Sequence, residues 1–167
     1  MPIAPLSSPN YCKTDLCMSD EVVITRITLA EAQPIRIAVL RRGTPAKTAV
    51  YDGDERHDTV HIGARRNGVV VATSTWIPAA WLESPEEPAV QLRGMAVHDS
   101  LQGTGVGRRL IDAGLVHARS IGARFMWAKA RDTALQFYIR CEFRVMGEQF
   151  IEPASGMPHH LVVRELR

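Results

Sequence analysis

The feature that most constrains the chain is the stretch Leu101-Gln102-Gly103-Thr104-Gly105-Val106-Gly107-Arg108-Arg109, where glycines alternate just ahead of an amphipathic run. From Val106 to Ser120, Leu110, Ile111, Gly114, Leu115 and Ala118 fall on one side. Arg108, Arg109, Asp112 and Arg119 fall largely on the other, which is the pattern of a helix burying one face. Ahead of the glycines, Val90 to Val97 reads as a strand around Leu92, Met95 and Val97, and Gly122 closes the helix at a left-handed cap. A strand feeding a helix through a tight turn is the unit of an α/β domain. Such a turn can aim several free N–H groups outward, where helix amides, the macrodipole and Arg108 and Arg109 favour a phosphate. The other reading is that the glycines only make the turn. A dinucleotide fingerprint is excluded, because it needs glycine where Arg108 stands and an acid where Lys129 and Arg131 stand; no Gly-Lys-Ser or Gly-Lys-Thr offers a Walker loop.

The rest of the chain supplies strands and short helices around this unit. A β-branched run, Val22 to Thr25, precedes Thr28-Leu29-Ala30-Glu31, which has the spacing of a capping box opening a helix to about Leu40, interrupted by Pro34. Arg41 to Asp58 is polar and irregular. His61 to Ala64, Asn67-Gly68 and Val69 to Thr75 read as strand, two-residue turn and strand, since Asn-Gly accepts the positive φ of a tight hairpin. Ile77 to Pro88 is a proline-rich loop with Trp81 as an anchor. Arg124 to Ala130 reads as a strand, Thr133 to Cys141 as an amphipathic helix, and Val145 to Ile151 and His160 to Val163 as two last strands.

A chain of 167 residues supports one domain with a sizeable core, at 21–167, behind a Pro- and Ser-rich lead-in at 1–20 in which Met18 is a candidate start. The net charge of +2 gives no reason to expect nucleic acid or an anionic membrane as partner. No apolar run approaches the roughly 18 residues of a membrane span, and the expected setting is cytoplasmic. Three cysteines, Cys12, Cys17 and Cys141, make no disulfide framework and no zinc site.

Two separate motifs resemble the GNAT superfamily of acyl-coenzyme A-dependent N-acyltransferases. Gln102-Gly103-Thr104-Gly105-Val106-Gly107 is similar to its Q/R-x-x-G-x-G/A signature, with Met95-Ala96-Val97 where the central strand ends. Ala134-Leu135-Gln136-Phe137-Tyr138, followed by Phe143, is similar to its later A-x-x-F-Y helix. The resemblance implies a GNAT-like α/β fold, a central and mostly antiparallel twisted sheet flanked by helices, with acetyl-CoA as donor. It assigns Met95, Ala96 and Val97 to the pantetheine arm and Gln102, Gly103, Thr104, Gly105, Val106, Gly107 and Arg108 to the pyrophosphate. It sets the N–H near Val97 at the oxyanion and Tyr138 as the proton donor to the leaving thiolate. Three departures stand out: Asp99 where proline is common, Arg131 where asparagine often meets the cofactor, and Glu142 in place of the glycine before phenylalanine, implying a reshaped helix end.

The chemistry implied is acetyl transfer to a primary amine of a small molecule or peptide. From the residues alone, Tyr138 is either that acid or a packed aromatic. His159 and His160 are candidate bases, of which at most one lines a cleft because adjacent strand residues face opposite ways. His57 and His61 would suit zinc on a helix, but Thr59, Val60 and Ile62 favour a strand that separates them by roughly 13 Å, so no metal site is expected. Trp76 and Trp81 either wall an acceptor pocket or cover the core. Glu83, Glu86 and Glu87 either attract an amine or form a solvated face, and Arg41-Arg42 and Arg65-Arg66 read as surface clusters. A non-catalytic acyl-CoA-binding domain and an interaction module without cofactor remain as alternative functions.

Overall fold

The computed structural model describes residues 21–42 and 47–167; the lead-in at 1–20, with Cys12, Cys17 and Met18, lies outside them. Among the described residues seven strands form one sheet: β1 (Val22–Ile27), β2 (Val60–Arg66), β3 (Val69–Pro78), β4 (Ala89–Val97), β5 (Phe125–Arg131), β6 (Arg144–Glu152) and β7 (Met157–Glu165). Their order is β1-β2-β3-β4-β5-β7-β6, and every neighbouring pair is antiparallel except β4 with β5. The Asn67-Gly68 hairpin forms as the sequence implies, with Asn67 at φ 52°.

Helix α1 (Leu29–Leu40) opens on the expected capping box, Thr28 and Glu31 each accepting from the other's main-chain N–H. Pro34 sits inside the helix without ending it, on its exposed side, where water can serve the carbonyl that the missing N–H leaves unpaired. Helix α2 (Val106–Ser120) covers the face of the sheet bearing Val90, Leu92 and Met126, and its Leu110 and Ile111 are fully buried there. Helix α3 (Leu135–Arg140) is shorter than the sequence implies, because 132–134 form a 3-10 turn ahead of it.

The expected reshaping at Glu142 is corrected. The N–H of Phe143 bonds to Tyr138 O at 3.1 Å and that of Glu142 to Ile139 O at 2.9 Å, the ordinary paired closure of a helix C-terminus. Glu142 adopts the left-handed φ of 66° that glycine would take there, and an ion pair with Arg164 holds it.

Candidate active site

Strands β4 and β5 pair only over Ala89–Leu92 and Phe125–Ala128, although β4 runs on to Val97 and β5 to Arg131. Beyond Leu92 they splay apart. Two β4 residues, Gly94 and Met95, stand opposite the single residue Ser74 of β3, which is a β-bulge at the point where the splay begins. Gly94 takes φ 55°, and a Cβ there would lie 2.6 Å from Arg36 Nε, so the bulge and the close approach both demand glycine.

Below the bulge lies a charge buried to 0% exposure. Arg36 of α1 donates to both carboxylate oxygens of Asp54, at 2.6 and 3.1 Å, to Ala49 O at 2.9 Å and to Thr75 Oγ1. Thr75, having accepted from Arg36, gives its hydroxyl proton to His61 Nδ1 at 2.7 Å, and His61 Nε2–H then donates to Asp54 O at 3.1 Å. That chain of donors fixes a neutral imidazole, in keeping with burial pushing the His61 pKa down. No local pattern in the sequence announces this network, since an arginine, an aspartate and a histidine scattered over helix, loop and strand each look solvated.

A cleft of about 1050 Å³ runs through the splay. At one end it meets the glycine turn and the N-terminus of α2, and at the other it opens on the sheet face that carries α1. Met95, Ala96, Val97, Gln102, Gly103, Gly105, Gly107 and Arg108 all line it, as do Tyr138 and Cys141. The side chains of Thr104 and Val106 do not: Thr104 Oγ1 turns back to Leu101 O at 2.6 Å, and Val106 packs in the core at 4% exposure. Gln102 spends its side-chain amide on Val97 O and Asp99 Oδ1, at 3.1 and 3.2 Å, bracing the turn against the strand end. Asp99 also pairs with Arg42 at 2.7 Å.

The main chain of β4 faces the splay at alternate residues. His98 N–H bonds to Val71 O across β3, so the groups of Val97 point the opposite way, where its carbonyl indeed meets Gln102. By the same alternation Met95 points into the splay. Helix α2 has Gly105 as its N-cap at φ 90° with no side-chain cap, so its first-turn amides are open to the cleft. Arg108 stays at the cleft, held by Asp112 at 3.1 Å and Arg140 O at 3.0 Å, whereas Arg109 swings away to Val22 O at 2.8 Å. Arg140, which also lines the cleft, was not singled out from the sequence.

Tyr138 is 7% exposed, edge-on to Phe137 and Phe143 with both ring centroids 5.4 Å away, and its hydroxyl has no hydrogen-bond partner among the described residues. Burial pushes its pKa up, which keeps the phenol protonated. The same cause raises the pKa of the Cys141 thiol. Of the two histidines, His159 lines the cleft at 7% exposure, while His160 turns to the other face and pairs with Asp132 at 3.0 Å. His159 Nδ1 lies 3.0 Å from Met157 O, an oxygen that can only accept, so Nδ1 is the donor there and Nε2 is the nitrogen that carries the lone pair of the neutral ring.

Of the two readings of the tryptophans, the one in which they cover the core holds. Trp76 is fully buried, with its indole N–H on Ser74 Oγ at 3.0 Å, and Trp81 packs on Trp127 at 5.9 Å; both serve the core and neither lines the cleft. Glu86 and Glu87 line a separate depression of about 730 Å³, away from the splay. The residues that do form the far end of the cleft are Tyr51, Arg93, Lys129, Arg131, Glu152 and His159. Arg131 reaches Leu40 O at 3.1 Å, capping the carbonyl end of α1.

Known proteins resemble this chain in sequence and in fold. The model of the acetyltransferase (GNAT) family matches residues 30–143. An uncharacterised N-acetyltransferase, YitI of Bacillus subtilis (strain 168), is 24% identical over 140 residues, covering 84% of this chain and 93% of its own. The crystal structure of Escherichia coli ElaA superposes with a TM-score of 0.68 at 20% identity, over 87% of this chain and 99% of that one. The structure of yncA from Salmonella typhimurium with its cofactor acetyl-CoA gives 0.66 at 17% identity, over 87% and 94%. The chain belongs to the GNAT acetyltransferase family.

Proposed function

We propose that this GNAT-family chain transfers the acetyl group of acetyl-CoA to a primary amine of a small molecule or peptide, by direct attack within the cleft. The observation that carries the reading is that the uncapped N-terminus of α2 and the free edge of β4 open on one and the same cleft. The residues fit the donor: a Cβ at Gly103 or Gly105 would have nothing within 4 Å, so the turn leaves room for phosphates to reach its amides. The presence of acetyl-CoA in the yncA structure supports the same donor here. Bound in the cleft, acetyl-CoA supplies an acetyl thioester.

The chain's own groups then divide the work. The amides of Gly103, Gly105 and Gly107, with Arg108, hold the pyrophosphate, and the main-chain groups of Met95 and Val97 hold the pantetheine arm along β4. His159 Nε2 takes the proton from the attacking amine. Tyr138 gives its proton to the sulfur as it leaves. Direct attack, without an acyl-enzyme, agrees with the burial of Cys141 at 2% exposure and with its raised pKa, which keep the thiol out of nucleophilic form. The cytoplasm suits both the donor and the free thiol.

The experiment is a thermal shift followed by a thiol-release assay. Acetyl-CoA at about a hundredfold over its Kd is expected to stabilise the fold by about 2.7 kcal/mol. Gly105→Glu, which sets a carboxylate against the phosphates, is expected to abolish the shift. A folded mutant with an unchanged shift removes the pyrophosphate assignment. An absence of CoA release with polyamines, aminoglycosides, amino acids and peptides removes the transfer reading.

A further inference from the structure

We infer that the acceptor amine carries an oxyanion, a carboxylate or a phosphate, which docks on the guanidinium of Arg93 beside Tyr51. This rests on the transfer reading above, because that reading gives the far end of the cleft to the acceptor. The register defines the face. Leu92 packs in the core with α2, so Gln91 and Arg93 look the other way, toward α1. Pairing of Gln91 with Trp127, and of Arg131 with His159, sets Lys129, Arg131 and His159 on that same face. Arg93 therefore stands one residue past the last β4–β5 pair and one before the bulge at Gly94, on the sheet face that carries α1.

Arg93 is held in place while its charge is left unmet. Its Nη1 donates to the main-chain carbonyl of Asp52 at 2.8 Å, and its guanidinium carbon lies 5.5 Å from the centre of the Tyr51 ring. No carboxylate among the described residues pairs with it. The neighbouring cations differ: Arg36, 5.2 Å from the same ring, is answered by Asp54, and Lys129 by Glu152 at 2.8 Å. Arg41 stacks on that ring as well, at 5.3 Å. The Nε–Nη2 edge of Arg93 is thus a two-pronged donor fixed from behind, the arrangement that takes a carboxylate or phosphate through parallel charge-assisted bonds. A ligand oxyanion there would tether the acceptor by one end and leave its amine to reach the splay.

The test compares thiol release from acetyl-CoA for matched amines that differ in an anionic group: β-alanine against propylamine, 2-aminoethyl phosphate against ethylamine, and glucosamine 6-phosphate against glucosamine. The expected result is a kcat/KM ratio of tenfold or more for the anionic member of at least one pair, the pair itself telling carboxylate from phosphate. Arg93→Gln should bring that ratio down at least fivefold, and Arg93→Lys, which keeps charge but loses the fork, should restore part of it. Ratios near one in every pair, or an equal loss on both members in Arg93→Gln, overturn the proposal and leave the transfer reading standing. No release from any amine, while acetyl-CoA still raises the Tm, overturns the transfer reading and this proposal with it.

Discussion

Gly114 of α2 rests directly on the indole of Trp76 from β3: a Cβ at position 114 would fall 1.9 Å from Trp76 Cζ2. The helix can lie on the sheet at this depth only because residue 114 has no side chain. Gly114→Ala should therefore destabilise the protein, although alanine gains roughly 1 kcal/mol in intrinsic helix preference. Overpacking typically costs about 1 to 3 kcal/mol, which in a chain of this size lowers the Tm by roughly 3 to 10 °C. Combining it with Trp76→Leu should make the two changes less than additive in cost, since the second removes what the first strikes. A Gly114→Ala protein as stable as the parent contradicts the contact.

At the end of α3, Glu142 is held at a φ of 66° and is tied to Arg164 by an ion pair that is 65% exposed on the glutamate side. The left-handed conformation costs a non-glycine residue about 1 kcal/mol, and an ion pair this exposed returns at most about as much. Glu142→Gly is expected to be neutral or stabilising by up to about 1 kcal/mol. Glu142→Ala should be worse than either, because it keeps the strain and loses the pair. Equal Tm values for the alanine and glycine variants would show that the backbone conformation is not what matters there.

Two histidines, His61 buried and His117 half-buried, make stability depend on pH. Burial lowers the pKa of His61, and burial followed by the nearby Arg26 lowers that of His117, whose ring nitrogens are both buried without a partner. Because the folded pKa values lie below the unfolded value of about 6.5, the unfolded chain binds the extra protons first. Stability from this source is whole above pH 6.5 and is lost as the pH falls through 6.5 toward the folded values. The Tm should drop between pH 7.5 and 5.5, and His61→Gln with His117→Met should flatten that drop. Identical slopes for parent and double variant would place the acid sensitivity elsewhere.

What could be read in the sequence was whatever local signals specify: the Asn67-Gly68 turn, the capping box at Thr28 and the glycine turn before α2. The glycine-turn end of the cleft belongs to this class, being one continuous stretch from Met95 to Arg108. The far end does not, since Tyr51, Arg93, Lys129 and His159 meet only through the bulge, the splay and the placing of β7 between β5 and β6. Thr73, Ser74 and Thr75 are a second case. Polar residues beside Trp76 suggest a solvent-facing end of the strand, yet all are buried at 0% exposure, because β3 is covered on both faces by α1 and α2. Arg36 and Asp54 likewise look like surface charges until the fold encloses them together.

Tyr138 offers the sharpest test of the chemistry. Its ring is fixed edge-on between Phe137 and Phe143, and its hydroxyl is bound to nothing else among the described residues, so Tyr138→Phe removes one oxygen and leaves the packing in place. A group that acts mainly as the thiolate leaves should, when removed, lower kcat and kcat/KM together and leave acetyl-CoA affinity within about twofold. General acids are typically worth a hundredfold or more, but the CoA thiol is acidic enough for water to replace the donor in part, so a loss of roughly tenfold to a thousandfold is expected. Burial holds the parent tyrosine protonated well above neutrality, so the parent's rate should not fall through loss of this proton anywhere in the measurable alkaline range. The measurement needs conditions in which chemistry limits turnover, established by single-turnover CoA release. A variant with the parent's single-turnover rate would make Tyr138 a core aromatic and leave the proton to water.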